Sequence, residues 1–195
     1  MTEPYRPRLI GLYAPAPGSG KTTVAMHLME HGFYTVSFAA PLKLLVIQLL
    51  QNLGYTPEDA NRLVYEDKHE ILPELGVAPR HLLRTLGTEW GRACVHPEVW
   101  LTCWEHAAGE LLRAGTPVVC DDVRFPNEAA LIRKLGGEMW HLSRPNTEAG
   151  TAHASEGSLD NYPYFDRHVI NDGSVFDLYH RVTQVVQPTR YPQAV

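Results

Sequence analysis

A lysine placed directly after a Gly-Ser-Gly turn and directly before two threonines is the most chemically pointed feature of this chain. Residues Pro15-Ala16-Pro17-Gly18-Ser19-Gly20-Lys21-Thr22 follow the phosphate-loop pattern GxxxxGK[ST] except at its first glycine, where Pro15 stands. Gly18 and Gly20 let the backbone turn its N–H groups inward on a polyphosphate, and a helix starting near Gly20 adds the positive end of its dipole. Lys21 is then a mobile point charge for the β and γ phosphates. Thr22 offers its hydroxyl to Mg²⁺, a hard cation that keeps several waters and takes few protein oxygens.

A second group of charged residues, Asp121, Asp122 and Arg124, follows the apolar run Val118-Val119-Cys120. Acids at the carboxyl end of a buried parallel strand stand where such sheets collect ligand-binding groups. Adjacent side chains on a strand point to opposite faces, so one of the two aspartates is expected to reach the phosphates. Arg124 shares the side of Asp122 if the chain stays extended. A guanidinium fork there would stabilise the charge that builds on the equatorial oxygens of a transferred phosphoryl group.

These residues need a scaffold, and the apolar patterning supplies one. Leu9–Tyr13 reads as a buried strand entering the loop, with a helix over Lys21–His31 and a second strand over Tyr34–Phe38. Pro41 opens a helix whose apolar face is Leu42, Leu45, Val46, Leu49 and Leu50. Residues 55 to 115 hold helical patterns interrupted at glycines and prolines, Gly87 and Gly91 among them, and read as a helical insertion. Strand signals return over residues 116–122, 138–142 and 168–170, separated by a helix over 126–135 and followed by a last amphipathic helix over 175–186. The expectation is an α/β P-loop NTPase fold: a five-stranded parallel sheet between helices. It forms a single domain over 1–195, in which residues 143–160 are loop-like.

Composition narrows the function. With 44% hydrophobic and 20% charged residues the chain is of ordinary globular make-up. A net charge of −5 argues against wrapping a nucleic-acid polymer, while leaving room for small anions on a local patch. Three cysteines without CxxC spacing indicate neither a disulfide framework nor structural zinc. No apolar run approaches the roughly 20 residues of a membrane span, and the first residues lack a leader-like apolar stretch, so a cytoplasmic protein is expected.

The chain resembles the phage-type deoxynucleoside monophosphate kinases, of the nucleoside monophosphate kinase group of P-loop folds. The resemblance covers most of the chain. It rests on the phosphate loop, on residues 38–43 (FAAPLK), on residues 83–92 (LRTLGTEWGR) and on residues 122–128 (DVRFPNE), with weaker agreement at 153–156 and 171–173. It implies transfer of the γ-phosphoryl of ATP to a deoxynucleoside 5′-monophosphate (dNMP), giving the diphosphate and ADP.

The resemblance also distributes roles. The donor site would comprise Gly18, Ser19, Gly20, Lys21, Thr22 and Thr23, with Arg144 flanking the lid. Lys21, Arg124 and Asp122 would be catalytic, and Thr22 and Asp122 would hold Mg²⁺, with Asp121 in reserve for Asp122. The resemblance places a short lid at about 143–160 and an acceptor-binding insertion at about 41–115, which would grip the acceptor through Lys43, Arg84 and Arg92, since a monophosphate brings about two negative charges that need their own cations. Arg84 and Arg92 are eight apart with Gly87 and Gly91 between, so no common helix face is claimed for them. Trp90 reads either as a base-stacking residue or as core, whereas Trp100 and Trp104 read as core. Residues 145–166 carry no Lys or Arg, so either the lid is short or Arg124 and the insertion supply its cations; His153 and Glu156 read either as groups that orient Arg144 or meet the acceptor, or as plain loop residues. Its partners are thus small nucleotides, and the sequence leaves open both a homodimer and the bases accepted. Two rival classes share the loop: another small-molecule P-loop kinase, and an ATPase or switch protein.

Overall fold

The computed structural model describes residues 6–145 and 159–187. Five parallel strands form one sheet in the order β2-β3-β1-β4-β5. The fully buried β1 (Leu9–Tyr13) is central, between β3 (Val118–Cys120) and β4 (Glu138–Ser143), with Leu9 opposite Val118 and Tyr13 opposite His141. β2 (Tyr34–Thr35) and β5 (Arg167–Ile170) are the edges. The sheet follows from short apolar runs alternating with helices, and it delivers the phosphate-loop segment to the carboxyl end of its middle strand, where ligands bind in such folds.

One face packs Ile10, Leu12, Val119, Trp140, Leu142 and Val169 against Val24, Ala25 and Leu28 of α1 (Lys21–Glu30). Leu178, Val182 and Val186 of the C-terminal helix, Val175–Val186, complete that core. Each fully buried Val, Leu or Ile among them contributes roughly 1.5–3 kcal/mol, so α1, and with it the loop it follows, is anchored through Val24 and Leu28. The edge strand is shorter than its apolar run suggests. Tyr34 is 58% exposed, and past Thr35 the Val36 N–H reaches β3, donating to Val119 O at 2.9 Å.

By contact density the chain divides into two compact units, Met1–Ser37 with Glu105–Val195, and Phe38–Trp104. The second contains α2 (Ala40–Asn52), α3 (Pro57–Tyr65), α4 (Pro79–Thr85), a π-helical stretch over Leu86–Val95 and the start of α5 (Val99–Arg113). Its core joins Val46, Ile47 and Leu50 of α2 to Ala60, Leu63 and Val64 of α3 and to Leu72. The expected apolar face of α2 is displaced: Leu45 and Leu49 are 48% and 41% exposed, and Ile47 takes the buried arc. α2 has apolar residues around most of its circumference, so periodicity alone did not decide which arc turns inward.

Gly87 and Gly91 do not interrupt the helix. Both lie inside the π-helical stretch, where Trp100 packs: its indole N–H donates to Gly87 O at 2.8 Å, and a Cβ on Gly91 would fall 2.4 Å from its ring. The glycines are there for close approach. Trp100 and Trp104 are buried as expected, Trp104 stacking on Phe38 with ring centroids 4.6 Å apart. α6 (Pro126–Lys134) follows β3, and the C-terminal helix is α7 (Val175–Val186). Among the described residues no helix is long and apolar enough to cross a membrane.

Candidate active site

The phosphate loop is built from β1 outward. Gly18 and Gly20 take φ values of 75° and 102°, left-handed conformations that a side chain would strain, and Gly20 is the N-cap of α1. No side chain caps that helix and no acid stands in its first turn. The positive end of that helix, which Lys21 opens, is thus a place where an anion is stabilised. The loop's carbonyls are bound from outside. Ser19, 1% exposed, donates its hydroxyl to Ala16 O at 2.7 Å, and Gly20 O accepts from Val24 N–H at 2.9 Å. Asn171 Nδ2 donates to Ser19 O at 3.2 Å, and the Arg144 guanidinium lies 3.5 Å from Gly18 O. Ser19's hydroxyl is thus committed to the loop itself, which leaves its backbone N–H for a ligand. Thr22 and Thr23 occupy the first turn of α1, with Thr22 exposed.

Pro15, Lys21, Asp121, Asp122 and Arg124 share the lining of one hollow. The two aspartates are not divided between faces: β3 ends at Cys120, so strand alternation no longer governs them and both line the hollow. Asp121 accepts from the Ser37 hydroxyl at 2.9 Å, and Asp122 accepts from the Cys120 thiol at 3.3 Å. Burial, reinforced by the neighbouring Asp122 charge, pushes the Cys120 thiol well above its usual range, so it stays a donor rather than a thiolate. Arg124 is exposed at the side chain but fixed at the backbone. The buried Glu128 carboxylate accepts from Arg124 N–H at 2.8 Å and from Phe125 N–H at 3.1 Å, which closes the first turn of α6.

Among the described residues no three His, Cys, Asp or Glu side chains gather as a metal cage. One carboxylate with one hydroxyl on a phosphate-binding loop is a donor set suited to Mg²⁺ that completes its shell with phosphate oxygens and water.

The helical unit holds the remaining expected residues. Lys43 is half-buried, its ammonium 4.4 Å from the Tyr65 ring centroid. Arg84 is exposed in the last turn of α4, and Arg92 is half-buried in the last turn of the π-helical stretch. Trp90 is 49% exposed, tilted against Trp100 at 6.4 Å between centroids, so it is not a core residue. His153, Glu156 and most of the expected lid lie outside the described residues.

Three supporting groups were given no role by the sequence: Glu128 and Asn171, which stand inside the 122–128 and 171–173 segments, and the Tyr13–Asp160 pair, whose hydroxyl-to-carboxylate distance is 2.5 Å. Glu128 had a signal, being a glutamate three residues after the residue preceding Pro126, the spacing of a helix cap. Asn171 stands just past a strand's carboxyl end, where loops meet ligands.

Comparison with known proteins fits this arrangement. A family model described as deoxynucleotide monophosphate kinase matches residues 74–182, more than half of the chain. A protein of Acanthamoeba polyphaga mimivirus, provisionally named as a deoxynucleotide monophosphate kinase, is 29% identical over 190 residues, covering 91% of this chain and 95% of its own. The deoxynucleoside-5′-monophosphate kinase of Escherichia phage T5 is 38% identical over 73 residues, 37% of this chain and 28% of its own. Among solved structures, dephospho-CoA kinase from Campylobacter jejuni superposes with a TM-score of 0.52 at 14% identity, over 93% of this chain and 96% of that one. TT1252 from Thermus thermophilus gives 0.51 at 22%, over 94% and 98%. The two structures share the fold; the family match, reaching from the helical unit through Asp122 and Arg124 to α7, does more, and by it the chain belongs to the deoxynucleotide monophosphate kinase family.

Proposed function

We propose that the hollow at the end of β1 is where this ATP-dependent kinase passes a phosphoryl group to a dNMP, and that the residues around it divide the work as follows. An oxygen of the acceptor's 5′-phosphate attacks the γ-phosphorus of ATP in line. A new P–O bond forms, the bond from the γ-phosphorus to the β,γ-bridging oxygen breaks, and ADP leaves with that oxygen. The acceptor oxygen is already anionic near neutral pH, so no strong general base and no covalent enzyme intermediate are needed. Positioning and electrostatics carry the rate.

The backbone N–H groups of Gly18 to Thr23 and the Lys21 ammonium cradle the donor phosphates, with Arg144 beside the loop. Arg124 supplies the fork for the equatorial oxygens. Thr22 and Asp122 would hold Mg²⁺, which when bound neutralises charge shared between the β and γ oxygens. Asp121, tied to a hydroxyl stronger as a donor than the thiol facing Asp122, serves to orient the end of β2. Lys43, Arg84 and Arg92 are assigned to the acceptor phosphate, and the exposed Trp90 to its base. Free nucleotides rather than a polymer suit the net charge of −5. A cytoplasmic setting suits a chain whose three cysteines are free thiols.

The observation that carries this reading is the shared hollow. Lys21 and the loop residues Pro15, Ala16 and Pro17 line it together with two carboxylates and an arginine from a different strand end. The test is an ADP-release assay with ATP over the four common dNMPs, their ribose counterparts, a sugar acid and dephospho-CoA. Release that requires a dNMP is expected. Release driven by a non-nucleotide acceptor, or indifferent to any acceptor, would overturn it.

A further inference from the structure

We propose that Asn171 is a positioning residue for the donor nucleotide, holding the phosphate loop in its anion-binding shape from outside the site. This rests on the reading of Gly18–Thr22 as the donor-phosphate loop.

A loop that turns successive N–H groups inward must turn its carbonyls outward, and each outward carbonyl that is buried needs a donor. Two of these donors are local: Ser19's hydroxyl serves Ala16, and Val24 N–H serves Gly20. Between them, Ser19 O is met by a residue from the opposite end of the chain, the Asn171 side-chain amide at 3.2 Å. The same amide packs against the next loop residue. A Cβ on Gly20 would fall 2.8 Å from Asn171 Nδ2, so the amide occupies the space that a side chain at position 20 would claim. Asn171 thereby contacts two consecutive residues at the point where the chain turns left-handed into α1.

Asn171 is itself held rigidly. It is 9% exposed, and its own N–H donates to Ser143 O at 2.7 Å, at the end of β4. The following residue, Asp172, pairs with Arg181 of α7 at 2.7 Å, and Arg181 also donates to Ile170 O on the other side. The clamp thus extends from β4, β5 and α7 to the loop. With the amide removed, Ser19 O loses its donor and Gly20 loses the neighbour that limits its freedom, so the inward-facing N–H groups are no longer pre-set. The penalty falls on donor binding, because acceptor contacts are assigned elsewhere.

The test compares N171A with the unaltered protein, with N171S taking the same measurements if the alanine variant does not fold. Apo melting is followed by circular dichroism, ATP affinity in the presence of Mg²⁺ by equilibrium dialysis, and the acceptor KM by ADP release. The expected result is a dissociation constant for ATP raised on the order of tenfold, with the acceptor KM within about twofold. An ATP affinity within about twofold of normal, or equal losses for ATP and acceptor, would overturn the proposal. K21A is measured alongside: if it too leaves ATP affinity unchanged, the fault lies in the loop assignment rather than in Asn171.

Discussion

Arg124 is held in place by a residue that is itself buried. Its guanidinium is exposed and its position is set at the backbone, by a Glu128 carboxylate that is 3% exposed and accepts from both Arg124 and Phe125 N–H groups. Removing the guanidinium in R124A should lower kcat on the order of 10³-fold, the scale at which an arginine stabilises a transferring phosphoryl group. E128A should lower kcat by a smaller factor, about tenfold, because two N–H groups lose their acceptor and the turn that aims Arg124 loosens. E128Q, which keeps one acceptor oxygen, should recover most of that loss. The decisive measurement is the double variant. If Glu128 acts through Arg124, the E128A effect disappears in the R124A background; full multiplication of the two losses would make Glu128 a stability residue only.

Among the helices, glycines of different environments give opposite predictions. Gly109 in α5 has open space where a Cβ would go, so G109A should stabilise by about 0.5–1 kcal/mol through helix propensity alone. Gly91 offers no such space. The Trp100 ring, 4% exposed and anchored by its bond to Gly87 O, would lie 2.4 Å from the new methyl group. G91A should therefore destabilise by about 1–3 kcal/mol, and paired urea titrations would show midpoints moving in opposite directions. The same pair shows what the sequence can and cannot disclose. Contiguous signals were legible: β1 over Leu9–Tyr13, α7 over Val175–Val186 and the loop from Pro15 to Thr22 all fall where apolar period and turn residues put them. A glycine's permissiveness is also legible, but not the neighbour that makes it necessary, so Gly87 and Gly91 read as interruptions. Asn171 was opaque for a similar reason, since its partner Ser19 is 152 residues away and only the sheet order brings them together. The aspartates needed the end of β3 to be placed, because alternation holds only while the strand lasts.

At the scale of the whole chain, stability depends on pH in the histidine range through those of the ten histidines whose folded pKa is shifted. Two histidines set the sign. Burial, then the neighbouring charge of His27 and of Arg6, holds His31 below the ordinary histidine range, with Glu30 opposing. His27 and His31 both face the Thr183 hydroxyl on α7, at 2.8 and 3.3 Å, and His27 stacks on Tyr179. Burial and His168 hold His141 below its range in the same way, against Asp160. A histidine whose folded pKa is lowered binds fewer protons in the folded state than in the unfolded chain. Stability from these two groups is therefore complete above the unfolded value of about 6.5, falls as the pH drops through it, and levels off below the folded values. Asp177, lowered by its bonds to Ser174, acts only in a separate window under the carboxylate pKa. The urea midpoint should thus decline between about pH 7.5 and about 5.5 with an unchanged slope, and the double variant H31N/H141N should flatten that decline. A midpoint that rises on acidification, or one that falls as steeply in the double variant, would assign the pH response to other groups.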